Sequence, residues 1–103
     1  MNAEEHTCIL DSLQSLLEEQ TEMVRKGNLH RVEMLVEQAS PVVEKIVKTK
    51  TFAQPEFDSR RRHLVKLYKK LELMLAAAKA SVERQLRQID NFRKTLKVYR
   101  NNS

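Results

Sequence analysis

The sequence predicts an all-α protein, and three observations carry that reading. Aliphatic residues dominate the apolar set and Trp is absent; one glycine and two prolines interrupt 103 residues; and charged side chains make up 32% of the chain. Helices with one buried stripe and one solvated face need that balance, whereas sheets need more turn residues and more aromatic or β-branched side chains. A chain of this length is one domain with a modest core.

The first helix is predicted over residues 3–26. Ile9, Leu10, Leu13, Leu16, Leu17, Met23 and Val24 alternate at steps of three and four, the spacing that collects side chains on one face. Gln20 interrupts the stripe as a polar gap. The stretch "KGN" ends it: Gly27 suits a positive-φ cap, and Asn28 suits the start of the next helix. The first two helices therefore form an antiparallel hairpin. The second is predicted over 29–48, burying Leu29, Val32, Leu35, Val36, Ala39, Val43, Ile46 and Val47, with a kink at Pro41 because the ring removes one backbone donor.

Residues 49–56, "TKTFAQPE", lose the period and read as a linker. A third helix follows over about 57–100, with Glu56 and Asp58 favourably placed near its positive end. Its seam steps through Leu64, Tyr68, Leu71, Leu75, Ala78, Val82, Gln85, Ile89, Phe92, Leu96 and Tyr99. No glycine or proline lies within it, and "LAAAKA" at its centre is a strong helix former. The expected architecture is an elongated, coiled-coil-like three-helix bundle: a helical hairpin plus one long C-terminal helix.

Length then makes a functional point. At about 1.5 Å per residue the three helices span roughly 36, 30 and 66 Å. The hairpin can sheathe the third helix only to about Ala80. Val82, Leu86, Ile89, Phe92, Leu96 and Tyr99 are left as a candidate partner-binding stripe, since an apolar patch of that size marks an interaction surface. A second copy of the chain, a folding back of the helix or a partner's helix would cover it, and folding back needs a break that "AKASVERQLRQIDNF" does not invite.

Charge is polarised. Residues 1–57 hold six Lys and Arg against ten acids, and residues 58–103 hold thirteen against four. The basic half either lies along the acidic half of its own chain or faces an acidic partner. Nucleic acid is one such partner, through "RRRHLVKLYKK" and "RKTLKVYR". Tyr68 and Tyr99 fall on the apolar seam, however, where they are not free to stack on bases. A basic nucleic-acid binder and a homodimeric coiled coil are the alternatives.

Catalytic chemistry finds little support. His6, His30 and His63 are dispersed, and His6 with Cys8 makes an i, i+2 pair that does not face one way on a helix. No metal site, cofactor or enzymatic activity is expected. The one catalytic idea is phosphotransfer on His63, which sits among bases. The lone Cys8 excludes an internal disulfide, the N-terminus is acidic where a signal peptide would be basic, and no run approaches membrane-spanning length. A cytoplasmic location is the expectation.

Taken in order, "LxxLLEEQ", "KGNLHRVEMLVEQ", an extended linker, "RRRHLVKLYKKLELML" and a terminal "LKVYR" resemble the small flagellar type III export chaperones of the FlgN and FliT kind. In that family a glycine–aspartate or glycine–asparagine turn joins the first two helices among regularly spaced leucines. The resemblance covers nearly the whole chain. It implies a cytoplasmic chaperone that binds helical ends of hook-filament junction or filament-capping proteins and delivers them to the export apparatus. It also places the contacts toward the C-terminal helix, on Val82, Leu86, Ile89, Phe92, Leu96 and Tyr99. Arg84, Arg93 and Lys97 would steer acidic partner segments.

Overall fold

The computed structural model describes the backbone of residues 1–102, and all their side chains except those of Gln85, Ile89, Phe92, Arg93 and residues 95–102. Three helices account for almost all of it: α1 (Ala3–Arg25), α2 (Leu29–Lys48) and α3 (Asp58–Asn102). The molecule is a rod, 76 Å long and 20 Å across in both other directions. It is an all-α, elongated three-helix bundle.

Local chemistry sets the helix ends. The Asn2 side chain accepts from the Glu5 N–H at 2.9 Å, with Glu4 and Glu5 in the first turn beside the positive end of α1. At the other end Lys26 caps α1, and Gly27 adopts φ +76° with nothing within 4 Å of where a Cβ would stand. Glycine is needed there for its backbone and not for space. The Asn28 N–H bonds the Met23 carbonyl at 2.9 Å while its side chain accepts from the Arg31 N–H at 3.1 Å. One residue thus closes α1 and opens α2. Pro41 lies inside α2, which continues through it as a single helix, so the proline does not split that element.

The core differs from the expected sheath. α1 packs against both other helices, while α2 and α3 approach each other only marginally. Leu10, Leu13 and Leu17 of α1 are fully buried, with Leu35 of α2 on one side and Leu64 of α3 on the other. Two flanks of one helix must therefore be apolar. This explains why α1 also buries Ile9, Thr21 and Val24, and why Gln20, read as a polar gap, is only 2% exposed. The Thr21 hydroxyl satisfies itself on the Leu17 carbonyl at 2.9 Å.

Because α2 packs chiefly on α1, with only the linker turn beside its end, little more than the α1-facing part of its apolar surface is covered. Val32, Leu35, Ala39 and Ile46 are buried and Val43 is half-buried, but Leu29, Val36 and Val47 are exposed. Those three are corrections to the predicted core. Two cross-helix ion pairs fix the register: Arg31 with Glu19 at 3.0 Å joins α2 to α1, and Arg60 with Asp11 at 2.7 Å joins α3 to α1. Arg60 also donates to Gln14 at 3.1 Å. All these groups are largely solvated, so they align the helices more than they stabilise them.

The linker is built, and its lack of period concealed that. Thr51–Ala53 and Pro55–Phe57 form two 3-10 turns, entered through Lys50 in the left-handed region at φ 53°. Thr51 is 0% exposed and Phe57 is buried. Both close on His6, itself 4% exposed, which reaches Thr51 Oγ1 through Nδ1 at 2.6 Å and Gln54 Nε2 through Nε2 at 2.9 Å. The ring lies 5.7 Å from that of Phe57.

Donor counting fixes the direction of this chain. Thr49 donates to the Lys45 carbonyl at 2.7 Å, so at the 2.8 Å hydroxyl contact Thr51 donates to Thr49. Thr51 then accepts from His6 Nδ1–H, leaving Nε2 to accept from the Gln54 amide. Four side chains from α1, the end of α2 and the linker are tied into one relay. His6→Ala should lower stability by about 2 kcal/mol through the lost hydrogen bonds and the void beside Phe57. Urea denaturation measures the loss, and faster amide exchange over residues 49–57 would locate it; an unchanged midpoint would mean the relay holds nothing.

Candidate docking surface

α1 ends at Arg25, and the bundle ends with it. Ala78 of α3 still packs against the core cluster. From Val82 to Lys94 every described side chain is exposed. The body thus covers roughly the first half of α3, and the second half projects from the hairpin end as a single helix.

Of the six predicted contact residues, Val82 is 42% and Leu86 57% exposed. The side chains of Ile89, Phe92, Leu96 and Tyr99 lie outside the described residues. Their backbone continues α3, so residues 82, 89 and 96 recur at heptad steps along it.

A second surface was not expected. Between α2 and α3, over α1, runs a shallow groove of about 300 Å³ walled by Val36, Ala39 and Val43 on one side and Tyr68 on the other, with Gln20 at its floor. It continues toward the linker past Val47. The α2 wall is a stripe of its own: Leu29, Val36 and Val43 stand at steps of seven, with Val47 one turn on. The α3 wall repeats likewise, from Tyr68 to Leu75 to Val82, so that it leads out of the groove onto the projecting half.

Sequence reasoning missed the groove because it assigned both α2 stripes to the core. The signal was available in the width of the apolar face. At 100° per residue the eight predicted core positions of α2 spread over about 120°, more than one neighbouring helix hides and enough for two.

The electrostatics of the two surfaces are opposed in part. Lys79, Arg84, Arg87 and Lys94 are exposed on the second half of α3 against Glu83 and Asp90, while α2 exposes Glu33, Glu37 and Glu44 together with Lys45 and Lys48. Among the described residues one ion pair, Arg60–Asp11, links basic α3 to acidic α1. Within α3 itself Arg61 pairs with Asp58 at 3.5 Å.

Chemistry-bearing residues do not converge. His6 is committed to the relay, while His30, His63 and the thiol of Cys8 are exposed on different elements. No group of three His, Cys, Asp or Glu that could hold a metal ion occurs among the described residues, and no helix is long and apolar enough to cross a membrane. No protein-family model, curated protein or solved structure matches this chain.

Tyr68 reports on the groove. Partial burial pushes its phenol above the ordinary value of 10.0, since the ionised form loses hydration there. A raised value in the folded state favours the neutral ring, so this contribution to stability is complete below the unfolded value and lost as pH rises through the folded one. An ultraviolet absorbance titration should therefore show a late-ionising tyrosine that disappears in Tyr68→Phe. Tyrosines titrating at the ordinary value in both proteins would contradict the half-buried position.

Proposed function

We propose that this chain is a non-enzymatic chaperone of the flagellar type III export kind, which captures a hydrophobic helical segment of a hook-filament junction or filament-capping protein and keeps it unassembled until export. The supporting observation is the second half of α3, which continues as a helix beyond the hairpin and on which every described side chain from Val82 to Lys94 is exposed. The family assignment rests on the sequence resemblance, in particular on the capped "KGN" turn among spaced leucines.

The physical mechanism is helix-in-groove docking. Six large apolar positions, Val82, Leu86, Ile89, Phe92, Leu96 and Tyr99, offer on the order of 10 kcal/mol of burial if fully covered, at about 1.5–3 kcal/mol each. That gross gain is large enough to hold a partner helix after the entropy of ordering it is deducted. Arg84, Arg93 and Lys97 beside the seam would accelerate encounter with acidic segments and set register, acting on the association rate more than on affinity. A segment that would otherwise polymerise is held in a soluble complex in the cytoplasm and released at the export apparatus.

The test is binding of purified hook-filament junction and filament-cap proteins from the same genome, followed by titration calorimetry. Phe92→Asp combined with Leu96→Asp should weaken capture by at least about 100-fold, the effect of losing two buried anchors. Circular dichroism should show the same helicity, because the substitutions lie beyond the body. Unaltered affinity in the double variant would move the site elsewhere, and failure of the wild type to bind either protein would refute the export reading. Salt-sensitive binding to random duplex DNA in place of protein capture would favour the nucleic-acid alternative.

A further inference from the structure

We infer that the outer face of α3 is a docking ridge for duplex nucleic acid, which it holds by the phosphates without reading the sequence. The inference does not rest on the export reading; it comes from the way charge is sorted around one helix.

At about 100° per residue, Arg62, Lys66, Lys69, Lys70, Arg84 and Arg87 fall within about 100° of arc, on the side of α3 turned away from the buried Leu64 and Leu71. All six are exposed. The four acids of the helix, Asp58, Glu72, Glu83 and Asp90, gather instead within about 40° at one edge of that arc. Charge placed only for solubility would intermix the two signs. Among the described residues none of the six bases forms an ion pair, since the pairs made by α3 use Arg60 and Arg61. From Arg62 to Arg87 one sign of charge therefore runs for about 38 Å along a single helix.

A long basic ridge suits a linear polyanion. Duplex DNA carries one phosphate charge per about 1.7 Å of its axis, and its strands flank a major groove about 12 Å wide. The bases of α3 form two groups, at residues 62–70 and 84–87, and the gap from Lys70 to Arg84 is about 21 Å. Extended Lys and Arg side chains on either side close that gap toward the width of the groove. Between the groups Ala76, Ala77 and Ala80 are exposed and small, so the helix can approach the groove closely while its two ends meet phosphates of opposite strands.

Other polyanions fit less well. A helix that lies on a lipid surface buries an apolar face beside its bases, and Leu73 is the one large apolar side chain on this face between Arg62 and Arg87. Single strands are held by stacking on aromatic side chains. The one aromatic residue in that span is Tyr68, which packs against the core cluster.

Fluorescence anisotropy of a short labelled DNA duplex of mixed sequence, titrated with the full chain at several salt concentrations, tests the ridge. Six phosphate contacts should give a slope of about −5 for the logarithm of the association constant against that of salt. Lys66→Gln, Lys69→Gln and Arg87→Gln together should reduce that slope by about 3 and weaken binding at low salt at least about tenfold. The matched triple Lys26→Gln, Lys45→Gln and Lys48→Gln removes the same charge from exposed positions of the hairpin and should leave slope and affinity nearly unchanged. Circular dichroism should show equal helicity in all three proteins. Equal losses in the two triples, a slope near zero, or tighter binding of a single strand or of poly-L-glutamate would each overturn the proposal, as would capture of phosphatidylglycerol vesicles without binding of the duplex. No client is present in these measurements, so they succeed or fail independently of the export reading.

Discussion

Everything in this molecule depends on the packing of α1 between two helices that scarcely touch each other. Its leucines at 10, 13 and 17 are among the most deeply buried side chains of the body, and they serve both flanks at once. A helix so placed gives up its polar interruptions to the interior, as Gln20 and Thr21 show. It also sets the size of what can be covered. Twenty-three residues make a body about 35 Å long, and the 45 residues of α3 exceed it almost twofold. The projecting half of α3 and the half-open groove beside α2 are two results of the same economy: one central helix, two neighbours, and no fourth.

Much of this was legible in the sequence, for reasons that differ from element to element. The α1–α2 turn was readable because Gly27 and Asn28 each have one physical role that few other residues fill. The continuity of α3 was readable from the absence of any breaker after Pro55. What the sequence did not disclose was partnership. The α2 stripe at Leu29, Val36, Val43 and Val47 has the composition of a core, and composition does not say whether a neighbour is present. The expectation that a hairpin of two helices would sheathe α3 failed for that reason, since α1 alone does so.

The linker illustrates the opposite difficulty. Residues 49–57 carry no period because their order comes from side-chain hydrogen bonds and not from a repeating face. Histidine at position 6 offered no local hint of its role, because its partners are 45 and 48 residues away. Only the polar character of Thr49, Thr51 and Gln54, interleaved with the aromatic Phe52 and Phe57, hints that a buried network stands where a loop was expected. Of the six candidate contact residues, Val82 and Leu86 were found on the surface, while the other four fall among side chains left undescribed. The uncovered stretch of α3 was anticipated from helix length, not from any recognisable motif.

The near-absence of contact between α2 and α3 bears on how this protein tolerates change. Substitutions on α2 and on α3 that lie away from the linker and the groove are coupled mainly through α1, so their effects on folding combine almost additively. Coupling concentrates on the central helix, where one altered leucine disturbs two interfaces together. Such a body can diversify its two outer faces independently, altering what each will accept from outside without renegotiating the other, provided the middle is held constant.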